Sequence, residues 1–247
     1  MSNPATMNDA VQSEARAADP SILQALRSTP LLSDLNDAVL SQIAVISKIV
    51  GVPEDEIICR QGEEANELLI VLDGQLAAFS TAPNGTTAVV EVIRSGSTLG
   101  LAALLARLPR LLGVRAVAPS SLLSIDAHGL LALVEQEPSL VTALLRAEAN
   151  EFRDLVRQVC DLKLRTTAQR LGCYLLSLST EQKANATALR LPFDKRLLAA
   201  RLGCRQENLS RAFAALRGFG VETHGARVIL HDIASLKAYS EPDEAFV

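Results

Sequence analysis

The 247-residue chain contains no uninterrupted apolar run near the ~18 residues that would span a bilayer, so no membrane partner is expected. The opening stretch MSNPATMNDAVQSEARAADP lacks an apolar segment preceded by basic residues, the pattern a secretory signal needs. Residues 1–20 are read as a flexible tail, and a cytoplasmic location is the expectation. Cysteine is sparse: Cys59, Cys160, Cys173 and Cys204 stand far apart with no CxxC pair, which excludes a disulfide framework and a zinc ribbon and leaves four reduced thiols. The three histidines, His128, His224 and His231, form neither HxxxH nor HExxH. None falls between Ile49 and Asp126, so a strand-borne metal set of the cupin type is excluded and no enzyme is read here.

What is present is enough for two small domains, each with a core. Net charge is −4, unevenly spread: from Lys163 to Arg227 there are twelve Lys and Arg against four Asp and Glu, a surplus of eight, so the remainder carries −12. A basic segment on an acidic chain points to a polyanionic partner.

Residues 21–47 carry apolar positions at helical spacing, interrupted by Pro30. From Ile49 to about Asp126 short apolar runs alternate with turn residues, predicting an antiparallel barrel or roll. Asp73-Gly74 and Asn84-Gly85 are read as hairpin turns, and LGLAALLARLPR as a helical insert. Pro138 opens a long helix to about Lys163, whose Val141, Leu145, Phe152, Leu155, Val159 and Leu162 follow a heptad, with Glu148 inside the same seam. Such a stripe on a lone helix predicts a homodimer interface; Glu148 would set register, meet an effector or turn outward. The expected boundaries are a sensor domain at 21–137, the dimerisation helix at 138–163 and a further domain at 164–247.

In that last domain Thr166 or Thr167 caps a helix, an extended piece ALRLPFD follows, and Asp194 caps the helix KRLLAARL. Gly203 breaks it, and RQENLSRAFAALRGFG forms a second helix ending at Gly218 or Gly220. Leu197, Leu198 and Ala200 are expected on one side, with Leu209, Phe213 and Leu216 as the apolar stripe of the second helix. Arg205, Gln206, Glu207, Ser210, Arg211 and Arg217 face away, with Lys195 flanking. In a major groove Arg pairs with guanine, Glu accepts from cytosine and Ser reaches either edge. Two strand-like pieces meeting at Gly225 would be the wing of a winged helix-turn-helix, and double-stranded DNA is the expected partner.

ICRQGEEANELLIVLDGQLAAFS and LAARLGCRQENLSRAFAAL carry a resemblance. They resemble the catabolite-activator and fumarate–nitrate-regulator (Crp/Fnr) superfamily over roughly Leu31 to Leu236. The resemblance implies an α+β fold: an N-terminal cyclic-nucleotide-binding-like β-roll, a long dimerisation helix and a C-terminal winged helix-turn-helix. Glu207, Ser210 and Arg211 match the E-x-x-S-R pattern of the fumarate–nitrate branch, which implies a palindromic operator of TTGA-like half-sites. RNA polymerase is a further candidate partner. The family's cyclic AMP cassette is not matched: Gly100-Leu101-Ala102 carries leucine where glutamate is required, and only Arg110 survives nearby. Cyclic AMP is therefore not expected. Residues 1–58 hold no cysteine, so no iron–sulfur cluster is expected. The effector is left unknown, with Leu101, Leu104, Leu105, Arg110 and Glu148 as candidate pocket residues. A redox or nitric oxide signal, with haem on His128 or Cys59, is one option, and Cys204 is a candidate redox switch. A cyclic-nucleotide- or metabolite-binding regulatory module is the alternative.

Overall fold

The computed structural model describes residues 19–179, 187–191 and 195–241; residues 1–18 of the expected tail and the expected Asp194 cap lie outside them. Helix α1 (Pro20–Ser28) starts at the last residue of that stretch: Pro20 occupies the first turn and the Asp19 carboxylate accepts from the Ser21 amide. Helix α2 (Asp37–Val45) is capped by Asn36, which accepts from the Val39 amide.

Eight strands follow: β1 (Ser47–Val52), β2 (Ile57–Cys59), β3 (Glu67–Asp73), β4 (Gln75–Thr81), β5 (Thr87–Arg94), β6 (Thr98–Leu99), β7 (Gly113–Ala116) and β8 (Ser120–Asp126). They form two antiparallel four-stranded sheets, β1-β8-β3-β6 and β2-β7-β4-β5. The twofold strand period divides the first sheet's side chains. Leu69, Val71 and Leu122 meet Leu76, Ala78 and Val114 of the second sheet. Leu68, Ile70, Leu123 and Ile125 point outward into a helical core. The Asn84-Gly85 turn joins β4 to its partner β5, as expected. Asp73-Gly74 does not make a hairpin: β3 and β4 belong to different sheets, and Gly74, at φ +95°, carries the chain from one to the other.

Helix α3 (Leu101–Ala106) is the predicted insert, and α4 (Ala127–Val134) leads into α5 (Pro138–Leu164). The 27 residues of α5 extend about 40 Å. Its first turns dock through Leu140 and Leu144 on the core shared with α1 and α2. Beyond them the apolar stripe turns outward.

Helix α6 (Thr167–Ser179) opens with a capping box: Thr166 Oγ1 accepts from the Gln169 amide at 3.2 Å and Gln169 Oε1 from the Thr166 amide at 3.0 Å. Strand β9 (Thr187–Arg190), α7 (Lys195–Arg201), α8 (Gln206–Leu216), a 3-10 turn (Arg217–Phe219), β10 (Val221–His224), β11 (Arg227–Leu230) and α9 (Ile233–Ser240) complete the chain. The three short strands form a sheet of order β10-β11-β9. Helix α9, not foreseen from sequence, buries Leu236 in the domain core and stacks Tyr239 on Phe219 at 3.9 Å.

Candidate nucleic-acid interface

Gly203 adopts φ +61°, a left-handed conformation that ends α7 and aims the chain into α8. Leu198, Ala199, Leu202, Leu209, Phe213 and Leu216 are buried in one cluster. Ala199 rather than Ala200 carries the buried face of α7, since Ala200 is only half-buried. That packing turns Gln206, Glu207, Ser210 and Arg211 to solvent. Glu207, Ser210 and Arg211 sit at i, i+3 and i+4, hence on one helix face. Arg205 is not inside the helix: it is the extended N-cap residue, φ −80° and ψ 156°. Arg217 begins the 3-10 turn at the other end. With the eleven residues of α8 between them, these two arginines lie about 18 Å apart, so they cannot address the same base step. The Ser210 hydroxyl donates to the Gln206 carbonyl at 3.1 Å. Lys195 is exposed, its ammonium 5.8 Å from the Phe213 ring centroid.

At the β10–β11 hairpin, His224 of β10 and His231, just past β11, each place Nε2 2.8 Å from the Glu222 carboxylate. These bonds hold that carboxyl below the usual range, the one to His231 most. Among the described residues no group of three or more His, Cys, Asp or Glu could hold a metal ion.

The roll touches this domain directly. Val92 of β5 is buried in the core of the helix-turn-helix domain. At the strand end, Arg94 Nη2 donates to Tyr174 Oη at 2.8 Å, and the Arg201 guanidinium lies 5.4 Å from the same ring. A cleft of about 640 Å³ separates Val89 of β5 from Cys204, Arg205, Glu207, Asn208 and Arg211. Burial pushes the Cys204 thiol up, while the Arg170 charge pulls it down.

On α5 the predicted seam is solvent-facing: Leu145 is 63% exposed, Phe152 67%, and Leu155, Val159 and Leu162 about half. Val156 joins them. Val141 and Glu148 are half-buried. Glu148 Oε1 is buried with no hydrogen-bond partner, and desolvation raises this carboxyl above its ordinary value.

The candidate effector residues are not brought together as an apolar lining. Leu101 and Leu104 are packed in the core with α1, α2 and the start of α5, while Leu105 faces solvent. Arg110 is buried and donates through Nη2 to the Glu67 carbonyl at 3.1 Å. Its guanidinium occupies the space a side chain at Gly100 would need. Cys59 is buried between the sheets, where desolvation pushes its thiol up, and His128 is exposed on α4. A neutral buried thiol and a surface imidazole are a poor axial pair for haem.

Comparison with known proteins agrees with this architecture. The Cyclic nucleotide-binding domain family matches residues 49–137, and the Crp-like helix-turn-helix domain family matches residues 169–239. An uncharacterized NTE family protein of Mycobacterium tuberculosis is 33% identical over 129 residues, 52% of this chain. The chain spans only 21% of the length of that relative. The transcriptional activator protein FnrA of Stutzerimonas stutzeri is 26% identical over 187 residues, covering 74% of this chain and 76% of FnrA. A crystal structure from Ruegeria pomeroyi, described as a candidate cyclic nucleotide-binding protein, is 30% identical, with 90% of this chain and 98% of that chain covered and a TM-score of 0.62. A β-roll, a long helix and a Crp-like helix-turn-helix in this order are the architecture of the Crp/Fnr family. The chain belongs to the Crp/Fnr family.

Proposed function

We propose that this protein is a homodimeric, cytoplasmic DNA-binding transcription regulator that reads a palindromic operator of TTGA-like half-sites. The observation that carries the reading is the outward face Glu207, Ser210 and Arg211 on a helix held rigidly by a buried apolar stripe. A second copy covers the exposed stripe of α5, which places two recognition helices about one helical turn of DNA apart. Arg205, Arg217 and Lys195 bind phosphates, and Arg211 reads guanine. No helix among the described residues is long and apolar enough to cross a membrane. RNA polymerase is the partner through which a bound dimer acts on transcription.

Regulation acts through the docking of β5 on α7. With Val89 across a cleft from Arg205, Glu207 and Arg211, a DNA duplex entering at α8 meets the roll hairpin. We therefore assign the docked arrangement to the DNA-incompetent state. A signal works by binding the two arrangements unequally. Redox or nitric oxide is the signal we propose, with thiol oxidation at Cys204 or haem on His128 or Cys59 as the route. Selection of duplexes from a random pool, followed by footprinting, tests the DNA reading: two symmetric protected half-sites are expected. An optical spectrum with added haem and nitric oxide tests the signal: a Soret band shifting with nitric oxide would assign the role to haem rather than to Cys204.

One observation favours the second reading, a regulator that binds an anionic metabolite. The buried Arg110 guanidinium has no carboxylate within ion-pair distance among the described residues. Calorimetric titration with cyclic nucleotides separates the two, because only the second reading predicts saturable heat lost in Arg110→Met.

A further inference from the structure

Three helix ends meet at one guanidinium. Arg170 lies in the first turn of α6 and is half-buried. Its Nε donates to the Leu202 carbonyl at 3.0 Å, one residue past the end of α7. Its Nη1 donates to the carbonyl of Arg165, the C-cap residue of α5, at 2.9 Å, and approaches the Leu162 carbonyl at 3.5 Å. The last carbonyls of a helix have no partner within it, and the helix dipole makes that end negative. One cation thus satisfies the C-terminal ends of both the long helix and the first helix of the helix-turn-helix. The planar guanidinium offers donors at fixed angles, so it holds the two ends at a fixed angle as well. A second contact lies beside it. Gly203, in the turn before the recognition helix, has no side chain, and a Cβ there would lie 2.5 Å from Leu162 Cδ2 of α5. The last turn of α5 therefore bears on the turn that aims α8.

We propose that Arg170 is a positioning residue: without touching DNA, it sets the angle between α5 and the helix-turn-helix, and so the half-site spacing that a dimer accepts. The inference rests on the dimeric DNA-binding reading above. In a dimer joined along α5, any play at this joint is play in the separation of the two recognition helices. Inserting or deleting one base pair between half-sites turns one against the other by about 35°, which a stiff joint cannot follow and a loose one can.

The test uses duplexes selected by the full-length protein from a random-sequence pool, together with versions lengthened or shortened by one base pair. Wild-type protein is expected to lose at least tenfold in affinity on either change. Arg170→Met is expected to narrow that loss to about threefold or less, with binding to random duplex unchanged. Arg170→Lys keeps the charge but not the fixed fork, so it should restore thermal stability without restoring the spacing preference. Should Arg170→Met fail to fold, Arg170→Lys decides. Folded variants that keep the wild-type spacing ratio would overturn the inference while leaving the dimer reading intact. A wild-type protein indifferent to spacing would overturn both.

Discussion

Glu207, Ser210 and Arg211 owe their direction to the residues beneath them. Leu209, Ala212 and Phe213 are buried, and a 3.6-residue period leaves the other three on the opposite side. An exposed arginine on such a face can offer two donors to guanine O6 and N7, a geometry no other base edge accepts. Arg211→Ala is expected to cost about 1–3 kcal/mol on the operator and to relax the preference at that one base pair. Titration of the operator and of a duplex changed at that position checks this, and equal losses on operator and random duplex would contradict it. This face was legible in the sequence because its pattern is local. Arg170 was not: its partners are backbone carbonyls at 162, 165 and 202, and a carbonyl leaves no mark in the residue alphabet. The helical position of Arg205 was misjudged for a related reason, since a cap is set by backbone angles rather than by side-chain period.

Helix α5 has two masters along its length. Leu140 and Leu144 hold it to the roll, while Leu145, Phe152, Leu155, Val159 and Leu162 face away from its own domain. Large apolar residues exposed in a continuous stripe mark a surface that pairs. Leu155→Lys is expected to yield monomers in analytical ultracentrifugation, and a persisting dimer would place the interface elsewhere. Glu148 supplies a pH test. Its carboxyl is raised by desolvation, so the folded state holds the proton more tightly than the unfolded chain. Its favourable contribution is therefore full below the unfolded value and is lost as pH rises through the folded one. Glu148→Gln should stabilise the protein in urea unfolding at about pH 7.5 and make little difference near about pH 4. An advantage for glutamine at the lower pH alone would contradict this. The heptad was readable because it repeats. The apolar run from Leu101 to Leu112 misled because a leucine that fills a core and one that lines a cavity look the same in sequence. Only the packing of Leu101 and Leu104 against α1 and α2 separates the two.

At the scale of the molecule, the sensor roll and the DNA domain are joined twice, covalently through α5 and by the docking of β5 on α7. The order of strands, long helix and helix-turn-helix was legible from turn residues and periodicity. The second joint was not, because Val92, Arg94 and Tyr174 are distant in the chain and ordinary in their own elements. A hydrogen bond to a charged donor contributes about 1.5–3 kcal/mol, enough to hold one arrangement over another by a factor of ten or more. Tyr174→Phe removes the hydroxyl that accepts from Arg94 and is expected to raise operator affinity in the absence of any signal, as read by fluorescence anisotropy. A drop in affinity would assign the docked arrangement to the DNA-competent state instead. On the proposed reading, two copies of this chain grip DNA together through α8. The most direct measurement is sedimentation of the protein with a selected operator duplex, paired with a footprint of the same complex. Two chains per duplex and two symmetric protected half-sites about one helical turn apart are expected. One chain per duplex with a single protected site, or no protection at all, would contradict that reading.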